Sequence, residues 1–502
     1  MKKIFASERG HPFNWKVFII IAIILRGLLW LYFGHMVTAN VAQSDTIEKY
    51  FVKDDYGYFF SPVDNYFKTG HYTYLDGVPF TGRLPGYSMV YFIFRLFFNQ
   101  HISLFLIVGL QFLLSTVSVY VLSLISYFIF NNNKRCFHIT YWLYILGVFP
   151  GFFDFFIIAE SLSVSSLIFS IFYLTKYIKV EAKNRYLIFS GLFLAWTIYL
   201  REYTGLLMLL FPLVFGCYLL FTRKENIYKA SKLVLLLCLP FIGFEAIWVT
   251  RNYVATKKII LITTPEEEAY GKLYSAPWEV IDNLIYSWGE IAAPFDKKAL
   301  GYYYRNPKEP IGYNFPDRIF NGVTTYNEDS LVKLRNLYAD YYFTNDTALT
   351  NKLEKEIINK CKIYRQDYIS HNLFTYWVIK PMKDFNYIAF FSGTGYLPLP
   401  PHGQQHVETR FVRIIFCRLY YTILLSAFAG LIWYFFIFRE ASFIPLLCIL
   451  SFAVIVLTLL YIGTINAYSS VQEPRYFAHC VALVLPFSAY FFNKILPGRK
   501  QE

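Results

Sequence analysis

Ten apolar stretches of near-spanning length recur along this chain, and they constrain its fold more than any other feature. They lie at about 17–37, 102–130, 138–152, 155–175, 186–200, 204–221, 232–250, 414–437, 442–462 and 477–493. A helix needs about 20 apolar residues to cross a hydrocarbon core, where backbone polar groups must be satisfied within the segment. Several of the stretches fall short of that length, and those at 138–152 and 186–200 are the least certain spans. A short span is tolerated where it borders a water-filled cavity. Composition points the same way: of 502 residues, 56% are hydrophobic and 16% charged, against about 25% charged in soluble domains. Such a chain cannot cover itself with polar surface, and lipid is the natural solvent for the excess.

The net charge of +13 invites a nucleic-acid reading. The basic residues instead cluster at the ends of apolar runs, as orientation signals do, and nucleic acid is excluded as a partner. The positive segments are 2–16, Lys134-Arg135, Lys176 to Arg185, Arg223 to Lys232, Arg439, and Lys494 to Lys500. With ten spans, all of them fall on one side, which the positive-inside rule makes the cytoplasm. Both termini are then cytoplasmic, in a multi-pass protein of the cell (plasma or inner) membrane. The N-terminus, with Lys2, Lys3, Arg9 and Lys16 and a Val37-Thr38-Ala39 cleavage-like site, resembles a signal peptide. Its apolar run is too long for that and contains Arg26, so it reads as a retained first span.

Two large segments remain for the opposite side, 38–101 and about 251–413. The expected fold class is an all-α polytopic membrane protein of about ten transmembrane helices with a mainly α extracytoplasmic domain. Residues 1–250 form an N-terminal transmembrane module with its first outer loop at 38–101. Residues 251–413 form the extracytoplasmic domain, and 414–502 a C-terminal transmembrane module. Within the outer domain, 327–341 and 346–373 read as helices, and the Gly/Pro-rich 391–406 as an irregular loop. The apolar segment Pro85 to Phe98 is too short to span and reads as a half-membrane or interfacial helix. Of seven cysteines only Cys361 lies in the large polar segment, so no disulfide within the chain is available there. No Cys/His spacing suits a structural zinc.

Several charged groups stand where apolar surroundings make charge costly. The first outer loop carries Lys53-Asp54-Asp55-Tyr56-Gly57-Tyr58. Adjacent carboxylates repel, and need a cation, a basic partner or water; one of them beside an acceptor hydroxyl can serve as a general base. A solvated turn is the plain alternative. The loop ends in Gly82-Arg83-Leu84-Pro85-Gly86-Tyr87, a sharp turn into an apolar segment. Arg83 there sits at headgroup depth, where a guanidinium can bind phosphate bidentately or act as an ordinary interfacial arginine. Asp154 and Glu160 lie among aromatics at the outer membrane surface, and acids at that depth are candidates for function unless they simply face headgroups. Arg201-Glu202, Arg251-Asn252 and Glu473-Pro474-Arg475-Tyr476 occupy the same side. Arg83, Arg201, Arg251 and Arg475 thus populate the face that positive-inside statistics deplete. Either they bind an anion or they pair with Glu202 and Glu473. Arg26 is explained by a structural ion pair or by snorkelling. His402 and His406 flank Gly-Gln-Gln, and nothing supports a metal between them. No phosphate-loop, nucleophile-elbow, zincin or dinucleotide fingerprint occurs in a fitting context.

These pieces, in this order, resemble the C-type (GT-C) membrane glycosyltransferases, closest to bacterial relatives of the dolichyl-phosphate-mannose protein mannosyltransferases and the lipid A aminoarabinose transferase. The resemblance rests on Asp54-Asp55 with Tyr58, on Arg83 to Tyr87, and on Glu160-Ser161-Leu162 at a span start. It continues with Leu200 to Tyr203, Trp248 to Tyr253, and Glu473 to Tyr476 before the last span. It covers most of the chain in short patches and leaves the outer domain unmatched. Where family members run into Ala-rich helix, residues 56–67 are aromatic and contain Pro62, which leaves open whether Asp54 or Asp55 takes the catalytic place.

The resemblance implies a polyprenyl-phosphate-linked sugar as donor, a lipid, glycan or protein acceptor, and inverting transfer on the outer face. Asp54 or Asp55 would orient or deprotonate the acceptor hydroxyl, with Asp154 or Glu160 assisting. Arg83, Arg201, Arg251 and Arg475 would neutralise the leaving lipid phosphate. Tyr58, Tyr87 and Glu473 would contact substrate. No cofactor is assigned; a divalent cation, if used, would sit on Asp54 and Asp55. The rival functions are a flippase or transporter, or a polymerase or ligase, of lipid-linked glycans. A transporter would show inverted repeats and midplane charges, whereas most acids here lie at outer helix ends. A structural scaffold is the remaining alternative.

Overall fold

The computed structural model describes residues 13–40, 55–74, 78–147, 149–262, 275–290, 297–306, 309, 312–390, 407–437, 443–465 and 474–496. Among them the chain is helical, with one isolated bridge between Thr73 and Pro79. Helices occupy all ten apolar stretches: α1 Trp15–Asn40, α4 Gln100–Ile129, α5 Lys134–Gly147, α6 Glu160–Lys179, α7 Asn184–Leu200, α8 Leu207–Cys217, α9 Ile227–Thr256, α15 Val407–Ile437, α16 Phe443–Ile465 and α17 Ala478–Ile495. The first outer segment adds α2 (Asp55–Thr69) and α3 (Gly86–Arg95). Among the described residues, eight segments are long and apolar enough to cross a membrane. The two that are not, α5 and α7, have 14 and 17 residues. They coincide with the two least certain spans of the sequence. The stretch at 138–152 stops being α-helical at Gly147, because Pro150 cannot continue an α-helix and the chain passes into a 3-10 turn, Phe149–Phe155. At ten residues, α3 is about 15 Å long, half a hydrocarbon core.

Packing between helices uses small residues and hydroxyls, since lipid offers no hydrophobic drive for apolar faces to separate from it. The clearest case is α6 on α7. Ser163, Ser166 and Ser170 lie on one face of α6. Their hydroxyls donate to the carbonyls of Thr197 (3.1 Å), Phe193 (2.7 Å) and Ser190 (2.9 Å) on α7, and Ser190 returns a bond to Ser170 O at 2.9 Å. Gly191 lets α9 approach α7 closely: a methyl group there would collide with the Leu237 carbonyl. The zip fixes the start of α6, at Glu160, beside the end of α7, at Arg201.

After α9 come α10 (Ala276–Ser287), α11 (Leu300–Arg305), α12 (Glu328–Phe343) and α13 (Thr347–His371). They enclose a separate core that includes Trp278, Tyr304, Leu331, Tyr338, Ile357 and Tyr368. Both helices expected here are present. The Asn327 side chain caps α12 by accepting from Ser330 N, and Asp346 caps α13 by accepting from Ala348 N and Leu349 N. A π turn, Thr375–Ile379, leads into α14 (Lys380–Phe390), which returns to the main core through Ile388 and Ala389.

Polar contacts define two ends of the bundle. At one end, Arg135 Nη1 donates to Leu496 O at 3.0 Å and Arg223 Nη2 to Ile178 O at 3.1 Å. These join members of the positive segments seen in the sequence. The opposite end gathers the start of α6, the end of α7 and the start of α17.

Candidate active site

Glu160 opens α6 and is wholly buried. Arg201 follows the last residue of α7, and its Nη2 lies 2.5 Å from Glu160 Oε2. Arg475, in the 3-10 turn Pro474–Phe477 before α17, brings its Nε to 3.4 Å from Glu160 Oε1. One carboxylate therefore joins guanidinium groups from two distant parts of the chain. Burial makes that arrangement costly unless each charge is matched. Aromatic faces share the load: Arg201 stands 5.6 Å from the Phe59 ring and 5.7 Å from that of Tyr476.

A second polar set holds this end together. His479 is buried in the first turn of α17, with Nε2 2.8 Å from Ser163 Oγ and Nδ1 2.8 Å from the Tyr203 hydroxyl. Ser163 spends its proton on the Thr197 carbonyl, so it accepts from His479 Nε2–H. Nδ1 is then the acceptor for Tyr203. The chain Tyr203–His479–Ser163 ties α17 to α6 and to the turn that carries Arg201.

The turn from Arg83 to Tyr87 meets the same end, residue by residue. Arg83 Nη1 lies 3.8 Å from Glu202 Oε2, and Leu84 N donates to Glu202 Oε1 at 3.4 Å. Gly86 packs against the Tyr199 backbone where any side chain would clash. Tyr87 is buried and donates to Gln111 Oε1 at 2.6 Å; Gln111 in turn donates to Phe156 O at 2.8 Å. Tyr58 lies 6.0 Å from the Arg83 guanidinium.

Between α3, α7 and α9 runs an apolar groove of about 850 Å³. Its lining includes Pro85, Met89, Ile93, Trp196, Phe244 and Ile247, with Arg251 also at its wall. Arg251 donates to the Phe80 carbonyl at 2.7 Å and faces the Tyr72 ring at 5.0 Å. The exposure of Met89, Ile93 and Ile247 leaves the groove open on the surface of the bundle. Tyr199, near the end of α7, lines it too, whereas Arg201, two residues further on, is buried in its ion pair and is not part of the lining.

The structure thus gathers Glu160, Arg201 and Arg475 in one cluster, with Arg83 on the neighbouring turn, Tyr58 near it on α2, and Arg251 at the groove. It separates Asp154 from that cluster. Asp154 Oδ2 pairs with Arg26 Nη2 at 2.7 Å, both groups buried, and Ser161 Oγ donates to its other oxygen. Asp154 therefore faces inward to the middle of α1, not outward to headgroups. Asp54 and Glu473 lie outside the described residues, as does the side chain of Asp55, whose backbone opens α2. His402 and His406 also lie outside them. Among the described residues, no group of three His, Cys, Asp or Glu could hold a metal. Sequence reading missed His479, Ser163 and Gln111. The available signal was spacing: Ser163 follows Glu160 by one helical turn, and His479 follows Arg475 by one. Compared with protein-family models, curated proteins and solved structures, the chain matches none.

Proposed function

We propose that this chain is a membrane glycosyltransferase that moves a sugar from a polyprenyl-phosphate donor to an acceptor on the non-cytoplasmic face. The observation that carries the reading is an open apolar groove with Arg251 at its wall, in a bundle that gathers Arg201 and Arg475 at the end where α6 and α17 begin. A lipid phosphate has that same division, a long apolar chain joined to an anionic head. The groove suits the chain, and Arg251, Arg83, Arg201 and Arg475 suit the head. In this reading the protein crosses the membrane ten times, with both termini in the cytoplasm and residues 251–413 outside.

The reaction is a displacement at the anomeric carbon. The bond from C1 to the phosphate oxygen breaks as a bond from C1 to the acceptor oxygen forms, with inversion. Asp54 or Asp55 takes the acceptor proton. The polyprenyl phosphate departs as an anion, and the guanidinium groups stabilise the charge that develops on it. Glu160, shared between Arg201 and Arg475, orients them. A divalent cation, if the reaction uses one, is held by Asp54 and Asp55.

The test uses the full-length protein in vesicles with a panel of radiolabelled polyprenyl-phosphate monosaccharides, scored for sugar release. Asp54→Asn or Asp55→Asn is expected to lower release by about 100-fold or more at unchanged expression. Full activity in both variants removes the first loop from catalysis. Donor movement across the bilayer without release makes the protein a flippase.

A further inference from the structure

The helical stretch from Leu373 to Met382 carries five large apolar side chains on its exterior: Leu373, Phe374, Trp377, Val378 and Met382. Phe374 and Met382 are 68% and 67% exposed. Their spacing follows a helical stripe, carried through the π turn that opens the segment. The other side of the segment is fixed. Tyr376 is buried, and its hydroxyl accepts from Arg365 Nη2 at 2.9 Å. Lys380 is buried with its Nζ 3.1 Å from Asp384 Oδ2, and Ile388 and Ala389 enter the main core. The stripe therefore cannot roll inward to hide.

Its level is set by α16. The Trp377 ring stacks on Tyr461 at 6.3 Å and 21°, and the Tyr461 hydroxyl donates to the Trp377 carbonyl at 3.3 Å. Tyr461 closes the apolar span Phe443–Tyr461. The stripe thus lies level with the point where that span leaves the hydrocarbon. Trp and Tyr concentrate at this depth because their rings are apolar and their N–H or O–H seeks water. Lys383, exposed on the same helix, can reach headgroup phosphates while its stem covers apolar surface.

We propose that residues 373–382 are an interfacial anchor whose occupant is the lipid leaflet at this end of the bundle. The anchor seats the α10–α13 core on the membrane surface beside α16. It rests on α16 crossing the bilayer and is independent of the sugar-transfer reading.

The test places a fluorescent amino acid at position 374, and in a second protein at position 349, which is exposed on α13. Each full-length protein is reconstituted in phosphatidylethanolamine/phosphatidylglycerol vesicles with or without brominated acyl chains. Bromolipid is expected to quench position 374 about threefold more than position 349, and aqueous iodide to show the reverse order. Equal iodide quenching at both positions leaves the stripe in water and overturns the proposal. Protection of position 374 from both quenchers means protein covers it, such as a second copy, and overturns it equally. Position 382 provides the same measurement if the 374 variant does not fold.

Discussion

Asp154 and Glu160 lie six residues apart and are both buried acids, yet they keep different company. Asp154 meets one arginine, Arg26, and Ser161 satisfies its second oxygen. That pair links α1 to the turn before α6 in the interior. Glu160 is shared by Arg201 and Arg475, which arrive from the ends of two other helices. A one-to-one pair locks a fold. A shared carboxylate sets the position of guanidinium groups relative to one another, which is what recognition of an anion requires.

The comparison breaks most readily at Arg201. Arg201→Ala leaves Glu160 with Arg475 and is expected to lower the proposed sugar transfer about a thousandfold, with some loss of thermal stability in detergent because a buried ion pair is broken. A large loss of stability with activity intact would put both acids in one structural class. Next in size is Asp154→Asn, which strands a buried Arg26 and is expected to cost about 3 kcal/mol or more in unfolding. Adding Arg26→Met should recover most of that loss, because an apolar replacement of a closed pair is tolerated. Failure to recover would show that Arg26 serves something besides Asp154. The smallest effect is expected at Tyr203→Phe, which removes one hydrogen bond to His479. It should lower transfer about tenfold at about 1 kcal/mol in stability, measured as kcat with KM held. An unchanged kcat would detach the His479 chain from the positioning of Arg201.

Much of the architecture was legible because apolar length and basic ends are local properties. Several stretches are short in the sequence, and the two least certain as spans, 138–152 and 186–200, form the helices that do not reach spanning length and apolarity. The turn from Arg83 to Tyr87 was legible as a unit, and each of Arg83, Gly86 and Tyr87 has a partner that accounts for its residue type. What was illegible is pairing across the chain. Arg201 was weighed against its neighbour Glu202, but successive residues in a tight helical turn point in different directions. Glu202 turns to Arg83, and Arg201 to Glu160. Arg26 and Asp154 were each noticed, but nothing local told that they meet. His479 reads in sequence as one more residue of an apolar span, and only the approach of Ser163 and Tyr203 gives it a role.

The serine face of α6 has a consequence for biogenesis. A helix with that many hydroxyls along one face gains from a neighbour that offers carbonyl acceptors, and α7, at 17 residues, is short for a span by itself. Each masks the other's defect only once the carbonyls of Phe193 and Thr197 have been synthesised and brought alongside. The two helices are then expected to enter the bilayer together as a hairpin. On that expectation the end of α7 would reach Glu160 before any later helix delivers Arg475.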